Sequence, residues 1–257
     1  MAELNGKPVE VDQLKNLALT NYGHFTSMRV DDGRVRGLSL HMERLTRDCQ
    51  ALFGTELDVE RVRDLARRAV PSGGSITVRV TVFDPGLDLG HPSSANDPHV
   101  LVTSRSAARL PLPALRAQST TYVRDVPSVK SVGLFASLHH RRTAQLNGFD
   151  DALFTDAQGV ISEGGTWNIG FFDGDHVVWP EADCLVGVTM QLLKQAHEHD
   201  TRPVRLADIP SMKAIFATNA AVGVRAVSCV DENTIPETHT IVDALRKQYM
   251  DVPGELL

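Results

Sequence analysis

Four short apolar segments follow one another between residues 152 and 179, and their spacing decides what kind of sheet this chain can build. They lie at 152–155, 160–162, 169–172 and 177–179, with turn chemistry at 156–159 and at Asp173-Gly174-Asp175. Gaps of that length join antiparallel neighbours and leave no room for a helical crossover. A doubly wound parallel sheet is therefore excluded, and Gly-x-Gly-x-x-Gly and Gly-x-x-x-x-Gly-Lys-Ser/Thr are both missing from the sequence. Upstream, residues 25–35 alternate around Asp31-Asp32-Gly33 and read as a hairpin. Leu40, Leu45, Cys49 and Leu52 form a helical stripe, with Ser39 as its cap and Gly54 at its end. A second helix starts at Asp58, with Val59, Val62, Leu65 and Ala66 facing inward. Residues 75–83 alternate as a strand, 85–98 form a loop, and strands resume at 100–103 and 117–123. A helix then runs to Asn147-Gly148, another covers 188–199, strands follow at 215–218 and 224–230, and 242–249 is helical. The pattern is α+β in two halves.

The length of 257 residues suits a smaller N-terminal α+β domain over 1–112, a linker and strand over 113–129, and a larger domain over 130–257. With 26 basic against 32 acidic residues, nucleic acid is not an expected partner. Cys49, Cys184 and Cys229 have no paired spacing and read as reduced thiols. Neither a signal peptide nor a membrane span is expected, which points to a cytoplasmic protein. His197 and His199 stand two apart on a helix, a poor spacing for one metal, so no metal is expected.

Four places can carry chemistry. Gly187 precedes a helix opening with Val188 and Thr189, either an ordinary loop–helix junction or an anion site of free amides and a hydroxyl. Arg44, in His41-Met42-Glu43-Arg44-Leu45, is either a solvent-facing arginine or a phosphate ligand beside the apolar stripe. There are six lysines, and Lys130 is the one at a partly apolar strand–helix junction, where its amine suits a Schiff base. Glu163 ends a strand before Gly164-Gly165 and is either a turn carboxylate or a partner for a protonated ring nitrogen. Arg29 and Arg79 lie on strands whose parity the sequence does not fix.

Taken in order, these pieces resemble the class IV aminotransferases, the fold-type IV pyridoxal-phosphate enzymes. The resemblance covers nearly the whole chain. It rests on Tyr22-Gly23-His24-Phe25-Thr26-Ser27-Met28-Arg29-Val30, His41-x-x-Arg44-Leu45, Lys130, residues 149–153 through Glu163-x-x-x-x-Asn168, residues 185–189, and Phe216-Ala217-Thr218-Asn219-Ala220-Ala221. It implies a two-domain fold like that of D-amino acid aminotransferase, pyridoxal 5'-phosphate as cofactor, and a homodimer. It implies Lys130 as the catalytic Schiff-base lysine. It further implies Glu163 at the pyridine nitrogen, Leu185 against the ring, and Arg44, Val188, Thr189 and Thr218 around the phosphate. Tyr22, Phe25, Arg29, Asn219 and Ala220 fall where relatives meet substrate. The implied activity is amino transfer between an amino acid or amine and a 2-oxo acid; the alternative is a 4-amino-4-deoxychorismate lyase-type release of pyruvate. Phe135 stands five residues after Lys130, where branched-chain enzymes carry tyrosine. Trp167 is bulky where relatives often have a small or acidic residue.

Overall fold

In the computed structural model, which describes residues 2–71 and 73–257, the chain separates into two compact units. The first holds the described residues up to Ala108, with Val129–Gly133 and Pro253–Leu257; the second holds Arg109–Ser128 and Leu134–Val252. The first contains β1 (Ala2–Leu4), β2 (Lys7–Pro8), β3 (His24–Asp31), β4 (Arg34–Arg36), β5 (Ser75–Phe83) and β6 (His99–Ser106), with helices α1 (Val11–Thr20), α2 (Leu38–Phe53) and α3 (Val59–Arg68). The second contains β7 (Leu115–Thr121), β8 (Asp151–Thr155), β9 (Ile161–Gly164), β10 (Asn168–Phe172), β11 (Val177–Pro180), β12 (His199–Arg202), β13 (Ala214–Asn219), β14 (Gly223–Val230) and β15 (Asn233–Thr234), with α4 (Phe135–Leu146), α5 (Val188–Ala196) and α6 (Thr240–Asp251). A last strand, β16 (Gly254–Leu256), returns to the first unit.

The first unit is an antiparallel sheet in the order β16-β4-β3-β5-β6-β1-β2. The alternation along β3 and β5 points Met28, Val30, Val78, Val80 and Val82 to one face. There they bury against Leu38, Met42, Leu45, Cys49 and Phe53 of α2 and Val62, Leu65 and Ala66 of α3. Spacings of three and four carry this stripe along α2. A second buried stripe runs beside it, and it is polar: His41, Arg44 and Asp48. Both expected ends of the two helices hold at Gly54, which is left-handed (φ 63), and at Asp58, whose carboxylate accepts the Arg61 N–H at 3.0 Å.

Two sequence expectations are corrected in this unit. Helix α2 starts at Leu38 behind a left-handed Gly37, not at a Ser39 cap. Leu38 is drawn into the core, and the Ser39 amide and hydroxyl face the Glu255 carboxylate at the helix N-terminus. Residues 11–20, read without an element, form α1. That helix buries no residue fully, so its apolar pattern is weak, and its signal is the Gln13 side chain accepting the Glu10 N–H at 2.9 Å.

The second unit is a mixed sheet in the order β12-β11-β10-β13-β14-β7-β8-β9, with β15 paired to β14. The short-gap segments form β8–β9 and β10–β11 as antiparallel pairs, as their spacing requires. His199 opens β12, parallel to β11, so His197 and His199 do not share a helix; α5 stops at Ala196 because the following residues take up that pairing. The two glycines after Glu163 make room for this chain's own side chains. A Cβ at Gly164 would lie 2.0 Å from the Trp167 indole, and one at Gly165 would lie 2.8 Å from Asp151 Oδ1. Trp167 is buried, and its ring N–H donates to Asp151 Oδ2 at 2.9 Å, which Arg141 also binds at 2.7 Å. Gly164→Ala is expected to lower stability by about 1–3 kcal/mol, the usual cost of overpacking a filled site, read as a shift in the denaturant midpoint.

Candidate active site

Asp48, 1 % exposed on the polar stripe of α2, anchors the constellation of the first unit. Its carboxylate accepts the backbone N–H of Lys130 at 3.0 Å and pairs with Arg47 at 3.0 Å. The Lys130 segment is also laid along β3: the Phe25 N–H donates to the Lys130 carbonyl at 2.9 Å and the Val132 N–H to the Gly23 carbonyl at 3.0 Å. Lys130 then lies over the Phe25 ring, with Nζ 4.9 Å from its centroid. The Arg79 guanidinium packs on the same ring at 3.6 Å, and its Nε donates to Thr81 Oγ1 at 3.2 Å. In register Arg79 stands opposite Ser27, which fixes the parity that the sequence left open. Arg79 makes no ion pair among the described residues.

The opposite face of β3 carries a buried basic cluster. Arg44 Nη2 donates to Thr26 Oγ1 at 2.5 Å, and Thr26 Oγ1 lies 2.7 Å from His41 Nδ1. Burial first, then the Arg44 charge, pulls His24 down to about 3; burial, Arg44 and Lys130 hold His41 well below the usual imidazole range. Burial also lowers Arg44 to about 10, with Asp48 opposing, so the guanidinium stays charged at neutral pH. Arg44 Nε and His41 Nε2 are buried with no hydrogen-bond partner among the described residues.

In the second unit Glu163 is 3 % exposed at the end of β9. Its Oε1 lies 3.4 Å from Arg124 Nη1 and accepts the Leu185 N–H at 3.3 Å. Asn168, at the start of β10, donates from Nδ2 to the Leu185 carbonyl at 2.6 Å and accepts the Gly187 N–H at 3.1 Å. Helix α5 follows, with no side chain capping its first turn. Its opening amides are therefore open to an anion. Thr189 and Thr218, each 1 % exposed, have buried hydroxyls with no partner. Thr218 stands opposite Asn168 in register.

Other residues singled out in the sequence have their side chains engaged locally. The Tyr22 hydroxyl donates to the Leu52 carbonyl at 3.0 Å. Arg29 pairs with Asp31 at 2.9 Å and donates to the Ala108 carbonyl at 2.9 Å. Asn219 Oδ1 accepts the N–H groups of Ala221 and Val222, each at 3.0 Å, and so shapes the turn that contains Ala220. Asp48, Thr26 and Arg124 gave no separate signal as site residues; Arg79 was visible only as a strand arginine of open parity, and Asn168 only as the end of the Glu163 motif. Asp48 was detectable as a carboxylate one turn past Arg44 on the same helix stripe.

Residues 23–230 match the model of the family described as amino-transferase class IV. The chain belongs to the class IV aminotransferases. The chain is 24 % identical to a probable branched-chain-amino-acid aminotransferase of Rickettsia bellii, across 96 % of this chain and 93 % of that one. Its fold superposes on the branched-chain aminotransferase of Thermoproteus uzoniensis with a TM-score of 0.86 at 17 % identity, covering 97 % and 93 % of the two chains. A putative 4-amino-4-deoxychorismate lyase of Legionella pneumophila gives 0.79 at 20 % identity, covering 89 % and 90 %. The family depends on pyridoxal phosphate and acts on amino acids and 2-oxo acids, so this class IV aminotransferase is a pyridoxal-phosphate enzyme.

The residues present fit that cofactor. A buried cation with a spare donor, an uncapped helix N-terminus and two orphaned threonine hydroxyls are donors of the kind a phosphate dianion takes. The buried neutral histidines have a consequence for stability. Between pH 6.5 and about 3 the unfolded chain binds a proton at His24 that the folded chain refuses. This contribution is complete above pH 6.5 and is lost as pH falls, at about 1.4 kcal/mol per pH unit per histidine. Denaturant unfolding of wild type and His24→Gln from about pH 4.5 to 7 should show a shallower loss in the variant; parallel curves would refute the assignment.

Proposed function

We propose that this class IV aminotransferase moves an amino group between an amino acid or amine and a 2-oxo acid, with Lys130 as its catalytic amine. One observation carries the reading: the backbone of Lys130 is fixed by the buried Asp48 carboxylate and by β3, and its amine lies over Phe25 beside an arginine with no acidic partner among the described residues. The backbone that carries this amine is thus fixed before any ligand arrives.

Bound pyridoxal phosphate supplies an aldehyde carbon for amines and a ring that accepts the electron pair released at the substrate α-carbon. Arg44, the amides of Val188 and Thr189, and Thr218 hold its phosphate. The Glu163 carboxylate, oriented by Arg124 and the Leu185 amide, accepts the hydrogen bond of the ring nitrogen. Leu185 packs on the ring. Lys130 Nζ would hold the cofactor through its aldehyde carbon and, once a substrate amine has displaced it there, would carry the proton from the substrate α-carbon to that carbon. Phe25, with the backbone of Asn219 and Ala220, lines the substrate. Tyr22 and Arg29, which the resemblance places near the substrate, have polar groups bound to the Leu52 carbonyl and to Asp31. Arg79 receives a substrate carboxylate, because a half-buried guanidinium without a carboxylate of its own is matched by one from the ligand. We propose further a homodimer working in the cytoplasm. The family resemblance supports the first, and the three free cysteines, with no described helix long and apolar enough to cross a membrane, support the second.

Adding amino donors without acceptor should shift the absorbance of the bound cofactor as it becomes aminated. Lys130→Ala should slow that conversion by at least about 10²–10⁴-fold, the range for a lost general acid–base group. Arg79→Met should raise KM for a 2-oxo acid more than it lowers kcat, by about tenfold for one charged hydrogen bond. Release of pyruvate from aminodeoxychorismate with no 2-oxo acid present, and no cofactor amination by any donor, would replace this reading with the lyase one.

A further inference from the structure

We infer that Asn168 is a positioning residue for the phosphate of the cofactor: it presets the Leu185–Gly187 loop so that helix α5 presents its first amides to the anion. The inference rests on the proposed function, in which the amides of Val188 and Thr189 hold that phosphate. Asn168 is 5 % exposed, and both ends of its amide go to this one loop: Nδ2 to the Leu185 carbonyl at 2.6 Å, Oδ1 to the Gly187 N–H at 3.1 Å. The Leu185 peptide is gripped on its other side too, since its N–H donates to Glu163 Oε1 at 3.3 Å. The loop is therefore tied to two strand positions, one at the end of β9 and one at the start of β10, and α5 begins at the next residue.

Gly187 shows how tight this grip is. Its φ of −73° and ψ of 148° are open to any residue, so the backbone does not require glycine. A Cβ there would, however, lie 2.2 Å from Asn168 Oδ1. Glycine is required by the approach of Asn168, not by torsion. The register adds the second half of the argument: Asn168 lies opposite Thr218, and the orphaned hydroxyls of Thr218 and Thr189 are left for a ligand. An aspartate at 168 would keep the shape but lose the donor to Leu185, and it would bring a negative charge beside an anion site.

The test compares dissociation constants of pyridoxal phosphate and of pyridoxal, which lacks the phosphate, for cofactor-stripped wild type, Asn168→Asp, Asn168→Ala, Gly187→Ala and the Asn168→Ala/Gly187→Ala double variant. Asn168→Asp and Gly187→Ala should each weaken pyridoxal phosphate by about 10- to 100-fold, and pyridoxal by less than about threefold. They should equally reduce the rise in melting temperature that inorganic phosphate gives the stripped protein. In the double variant the clash is gone, so Gly187→Ala should add nothing to Asn168→Ala. Equal weakening of both cofactor forms, no weakening of either, or effects of the two substitutions that multiply would overturn the inference. The underlying reading fails separately: wild type would then bind pyridoxal phosphate and pyridoxal alike and gain nothing from phosphate. Gly187→Ala leaves Asn168 in place, so the comparison stands even where an Asn168 variant folds poorly.

Discussion

A carboxylate buried on a helix can exist only where donors meet it, and in this chain the donors for Asp48 include the backbone of Lys130. That bond joins positions 82 residues apart. It turns the polar stripe of α2 from a cost into a device: His41, Arg44 and Asp48 are buried beside an apolar stripe that carries the packing. The apolar stripe fixes how the helix lies on the sheet, so it also fixes where the polar stripe faces. Positioning of Lys130 thereby depends on core residues such as Leu45 and Cys49, which have no chemistry of their own.

The two constellations are built on the same plan. In each, a buried side chain holds a backbone segment by hydrogen bonds. Asp48 does this for Lys130; Asn168 and Glu163 do it for the loop before α5. Both leave buried polar atoms without partners, among them Arg44 Nε, Thr189 Oγ1 and Thr218 Oγ1. Each such atom destabilises the protein alone by about 1–3 kcal/mol.

Much of the architecture was legible because it obeys short-range rules. The tight gaps between 152 and 179 exclude crossovers, the alternation over 75–83 is β5 to the residue, and Asp58 and Gly54 mark helix ends. What sequence reading missed has a common cause. Helix α1 packs too little apolar surface to show a stripe, and the true start of α2 depends on Glu255, more than two hundred residues away. Lys130, Arg44 and Glu163 stood out by residue type and local texture. Asp48 and Thr26 did not, and Arg79 and Asn168 were visible only as a strand arginine and a motif residue, because their pairings run across strands or between distant segments, which no local window contains. The bulky Trp167, a departure from the family pattern, is accounted for by Gly164 three residues before it.

That last pair has an implication for relatives of this chain. Positions 164 and 167 divide one fixed volume between them, since the indole occupies the space a side chain at 164 would fill. Exchange at one position is therefore tied to exchange at the other. A relative with a small residue at 167 is released from glycine at 164, whereas one that keeps tryptophan keeps glycine and an acceptor for the indole N–H in the place of Asp151.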